Sequence, residues 1–73
     1  MKVINIKQEL NFIHSEKTNI LDKEGWAFQL LNIVDVLITN YINANEIKMK
    51  RFYKIVYLKT KNFYLKQYEK REK

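Results

Sequence analysis

This sequence predicts a small all-α, three-helix domain with a long basic C-terminal helix. Three observations lead there. The 73 residues include no Pro and a single Gly, Gly25, so almost nothing interrupts a helix. Apolar residues recur at spacings of three and four along most of the chain. Two polar stretches, residues 14–19 and 43–45, divide the periodic segments into three.

The first segment places Val3, Ile6, Leu10 and Ile13 on one stripe of a short helix. Ile4 and Phe12 fall off that stripe and need another neighbour. His14-Ser15-Glu16-Lys17-Thr18-Asn19 is polar throughout and reads as a connection.

The second segment opens with Asp22 as the expected N-cap and Glu24 as negative charge in the first turn. Gly25 admits close packing beside Trp26. Across residues 26–42 the apolar side chains cover most of the circumference. Only Gln29, Asn32, Asp35, Thr39 or Asn40, and Asn43 leave a narrow polar stripe. Asp35 is expected on that stripe in solvent; the alternative is a Lys from the third helix. A helix apolar nearly all round must be covered nearly all round. Two partner helices from so short a chain do not suffice, so a homodimer is expected.

Asn45 is the expected cap of the third segment. On a wheel of about 100° per residue, residues 46–73 show two apolar faces. Ile47, Ile55, Leu58 and Leu65 make an aliphatic face. Met49, Phe52, Val56 and Phe63, continuing into Tyr53, Tyr57, Tyr64 and Tyr68, make a broad aromatic face. Lys48, Lys59 and Lys66 rim one edge of the aromatic face, and Lys50, Lys54 and Lys61 the other. The competing assignment is a β-hairpin of residues 51–59 and 63–68, favoured by their Tyr, Phe, Ile and Val content. The linking Thr60-Lys61-Asn62 lacks Gly and the apolar residues do not alternate strictly, so the helix is preferred. The charged end, residues 69–73, is expected to fray.

A chain of this length holds one domain, residues 1–73, and buries only about 60% of its unfolded surface. With no Cys, neither disulfides nor thiolate metal sites stabilise it. The start lacks the apolar core of a signal peptide, and residues 26–42 are too interrupted to span a membrane. A cytoplasmic protein is the expectation.

Charge is distributed unevenly. Residues 1–45 carry a net −1 and residues 46–73 a net +7. Lys, Asn, Ile and Tyr supply 34 of the 73 residues. Their codons are AT-rich, so part of the Lys excess reflects mutational bias. Such bias acts on both halves and leaves the asymmetry to be explained. A near-neutral body joined to a basic, aromatic contact surface explains it.

Catalysis finds little support in the residues. Ser15 and His14 are the only residues of their kind. As helical neighbours they point about 100° apart, and no third group orients them. Glu9 lies five residues before His14, a poor spacing for shared metal coordination. No Gly-rich phosphate loop is present. The expectation is a protein that is not an enzyme and needs no cofactor.

The expected contact residues are Lys50, Arg51, Tyr53, Lys54, Tyr57, Lys59, Lys61, Tyr64 and Lys66. The first expectation is an inhibitor or adaptor that docks a partner protein with an acidic surface. Small size, basic charge and the lack of a catalytic kit suit an accessory protein of a phage or other mobile element. The alternative is sequence-tolerant binding of DNA or RNA, with Lys on phosphates and Tyr stacked on bases. Scarcity of Arg argues against base-specific recognition. An aromatic stripe at helical spacing is also what a plain core looks like, with Lys stems lying along it.

Overall fold

The computed structural model describes the backbone of residues 4–72 and the side chains of residues 4–67. Val3, on the expected first stripe, and the side chain of Tyr68 lie outside the described residues. Three helices follow one another: α1 (Ile6–Asn19), α2 (Trp26–Asn43) and α3 (Ile47–Glu72). No strand occurs among the described residues, so the alternative hairpin over 51–68 does not form. The helix continues to Glu72, into the stretch expected to fray.

α1 is capped by Asn5, whose side chain accepts a hydrogen bond from the Gln8 N–H at 3.2 Å. It does not stop at His14. Residues 14–19, expected as a connection, are its last turns. Two of their polar side chains have partners on the other helices. Glu16 accepts from the Tyr64 hydroxyl at 2.7 Å, and Lys17 pairs with Asp35 at 2.8 Å. The buried face is correspondingly rotated from the expected stripe. Ile13 is buried and Phe12 and Ile4 pack against the core, whereas Ile6 and Leu10 stay exposed. Lys23 closes the helix end, donating to the carbonyls of Lys17 at 2.7 Å and Ile20 at 3.1 Å.

α2 begins after a tight turn in which Asp22 has a different role from the expected N-cap. Its carboxylate accepts from the Glu24 N–H at 3.1 Å, and its carbonyl accepts from the Gly25 N–H at 3.4 Å. The cap position belongs to Gly25. A Cβ there would sit 2.7 Å from the Asp22 Oδ2, so the glycine makes room for the folded-back carboxylate. Asp35 also departs from expectation, since its partner is Lys17 of α1 and neither solvent alone nor a Lys of α3. The α3 cap is Glu46 and not Asn45. The Glu46 carbonyl accepts the first bond of the helix, from the Lys50 N–H at 3.0 Å.

The core lies between α2 and α3. Leu31, Val34 and Ile38 come from α2, Tyr57 and Tyr64 from α3, and Ile13 from α1. α2 and α3 pack closely, α1 rests on α2, and no Cα of α1 comes within 8 Å of one in α3. The long dimension of 39 Å is the length of the 26-residue α3 at about 1.5 Å per residue.

Candidate binding surface

The gap between α1 and α3 is closed by side chains. Glu9 and Glu16 stand seven residues apart on α1, and Tyr57 and Tyr64 seven apart on α3. Two turns of helix carry a seven-residue step, so both pairs face each other in one register. The Tyr57 hydroxyl donates to the Glu9 carboxylate, and Tyr64 donates to Glu16. Since both helices ascend together through these pairs, they run parallel, with α2 antiparallel between them. Lys61 adds an ion pair with Glu9 at 2.7 Å and lies 4.8 Å from the centre of the Phe12 ring. Tyr64 also meets Phe12 edge-on at 6.4 Å and Trp26 at 6.5 Å, centre to centre.

These bonds set the electrostatics of the seam. Burial on its own raises the Glu9 carboxyl. The hydrogen bonds from Lys61 and Tyr57, with the Lys61 charge, outweigh burial and hold the group below its ordinary value of 4.5. Burial, and then the hydrogen bond and charge of Glu9, push the Tyr57 phenol far above its ordinary 10.0. A neutral phenol donating to a carboxylate is a charge-assisted bond.

Three of the nine expected contact residues therefore belong to the scaffold. Tyr57 and Tyr64 are 0% exposed, and Lys61 is held in the seam. Their rings and charge are spent inside because α1 offers carboxylates opposite them. The aromatic face of α3, expected as the contact surface, is divided by the structure. The tyrosine edge of the aromatic face turns inward. Its phenylalanine edge turns outward, beside Ile55 of the aliphatic face.

Five of the remaining six residues fall into two groups, and Tyr53 stands apart. Lys50, Arg51 and Lys54 surround a shallow groove with Tyr41 and Ile47, and the Lys50 ammonium lies 5.5 Å from the centre of the Tyr41 ring. Lys59 and Lys66 are exposed on the outer face. Tyr53 is half-buried at the α2–α3 turn, edge-on to Phe52 at 5.4 Å. The outer face gains residues that were not singled out. Phe52, Ile55 and Phe63 are 56%, 50% and 52% exposed, and Lys48 stands among them at the same helical phase. Neither Lys48, Arg51, Lys59 nor Lys66 forms an ion pair among the described residues. The matched seven-residue spacing of Glu9/Glu16 and Tyr57/Tyr64 was the signal that would have turned the tyrosines inward and the phenylalanines out.

Chemistry beyond contact is not assembled. His14 and Ser15 are exposed on α1, and no group of three metal-ligating side chains forms among the described residues. No helix among them is long and apolar enough to cross a membrane. No protein-family model, curated protein or solved structure matches this chain.

Proposed function

We propose that this chain is a non-enzymatic binding protein, of the inhibitor or adaptor kind, that docks an acidic protein surface with the outer face of α3. One observation carries the reading. Phe52, Ile55 and Phe63 stand half exposed among cations that form no ion pair among the described residues. A patch of apolar side chains left at the surface marks a contact, and the Lys interleaved with it select a partner of opposite charge and speed its approach. The groove of Lys50, Arg51 and Lys54 extends the cationic area around the same helix and suits a carboxylate side chain.

Nucleic acid is the second reading, favoured by the Lys excess alone. Base stacking would fall to Phe52 and Phe63, because Tyr57 and Tyr64 are enclosed. Capture from source cells decides for the first reading when a partner held by the native chain is lost with Lys59→Glu/Phe63→Ala and kept with Lys7→Glu on α1. A salt titration against generic DNA and RNA decides for the second when affinity is present at low salt and falls steeply as salt rises. No capture and no nucleic-acid binding at low salt would overturn the contact role of this face.

A further inference from the structure

α2 turns a face outward that carries no charge. Gln29, Ile33, Val36, Asn40 and Asn43 recur along it at steps of four and three. Ile33 and Val36 are 50% and 58% exposed. They line a shallow groove with Gln29, Asn32 and Leu37. The one ionised residue of α2, Asp35, is turned to Lys17 of α1.

We propose that this face pairs with the same face of a second copy of the chain, antiparallel about a two-fold axis lying between Ile33 and Val36. Two properties of the face select a copy of this chain as occupant. The first is charge. Copies with a net charge of +6 repel one another, and this face lets two of them meet without setting Lys against Lys. The second is self-complementarity, which a two-fold interface requires. With the axis between Ile33 and Val36, the Ile33 of each copy meets the Val36 of the other. On either side, the Gln29 of each meets the Asn40 of the other. A side-chain amide carries both a donor and an acceptor, so each Gln–Asn contact satisfies both partners at once. The four-three step is the one that antiparallel helices mesh along a narrow seam. One helix pair buries less than the ~1,200 Å² of ordinary stable complexes, so the dimer is weak and forms with concentration.

Sedimentation equilibrium of the full chain, from micromolar to millimolar concentration, tests the pairing. The expected result is a monomer–dimer equilibrium that tightens as added salt screens the net charge. Val36→Glu is expected to abolish the dimer while leaving the helical circular dichroism and the urea midpoint unchanged, since Val36 supports no core contact. Adding Ile33→Lys to Val36→Glu sets opposite charges across the two-fold and is expected to restore it. A monomer at every concentration overturns the proposal. So does a dimer indifferent to Val36→Glu, or one lost instead with Lys59→Glu, which would place the contact on α3.

Discussion

The Tyr57 hydroxyl donates to the Glu9 carboxylate across 48 residues of sequence, joining two helices whose backbones stay apart. Seven residues further along both helices, Tyr64 repeats the bond to Glu16. A small apolar core stabilises α2 against α3, and this polar ladder fixes the register of α1.

Tyr57→Phe keeps the ring and removes the donor. Hydrogen bonds to charged groups contribute about 1.5–3 kcal/mol, and the half-buried Glu9 is left with Lys61 alone. The variant is expected to lose roughly that amount in urea denaturation. This is a large fraction of the ~4–10 kcal/mol available to a chain of this size. A loss below about 0.5 kcal/mol would mean that the ladder does not hold α1.

The same pair makes stability depend on pH at both extremes. Glu9 has its folded value below the ordinary 4.5. Its contribution is present above that pH and is lost as pH falls through the folded value. Glu9→Gln is expected to lower the urea midpoint at neutral pH and to flatten its fall in acid. Tyr57 has its folded value above the ordinary 10.0. Its contribution is complete below pH 10.0 and is lost as pH rises, because only the unfolded chain ionises there. In an ultraviolet titration Tyr57 is expected to ionise above pH 10.0, with unfolding, and Tyr57→Phe to diminish that phase.

The helical fold was legible because Pro is absent and residues 26–42 keep a helical apolar period that no strand shares. The β-propensity of Tyr53, Val56, Tyr57 and Tyr64 did not prevail, since propensity yields to partners in the folded chain. Local composition could not show that residues 14–19 are helical. Glu16 and Lys17 look like linker residues until Tyr64 and Asp35 are brought to them from afar. The inward placement of Tyr57 and Tyr64 was hidden in the same way. A Tyr is equally suited to a wet surface and to a core with a polar partner, and the partner lies on another helix.

Gly25 and Asp22 form a coupled pair. The backbone at Gly25 has φ of −77°, which any residue adopts. The obstacle to Ala is the Asp22 carboxylate, 2.7 Å from where the Cβ would sit. Gly25→Ala alone is expected to displace that carboxylate from the Glu24 N–H and to give no gain in stability. With Asp22→Ala already present, the same change is expected to cost less, because the clash is gone and the restricted unfolded chain offsets part of the loss of Gly at the cap. A double-mutant cycle measures the difference, and strict additivity would show that the two residues do not interfere.

Lys59 and Lys61 are two residues apart on α3 and have opposite roles. Lys61 is held between Glu9 and the Phe12 ring, and Lys59 stands exposed on the outer face with no ion pair among the described residues. Lys61→Met removes the charge that offsets the burial of Glu9. It is expected to cost about 1–3 kcal/mol, as unpairing a buried group does. Lys59→Met is expected to leave stability within about 0.5 kcal/mol. Binding should reverse the order. Lys59→Met weakens attachment to an acidic partner or a polyanion, and more so at low salt. Lys61→Met leaves attachment unchanged wherever the domain is still folded. Urea denaturation and a binding isotherm on the same two variants give both comparisons. If Lys61→Met weakened binding as much as Lys59→Met with the fold intact, the contact surface would have to include the seam between α1 and α3.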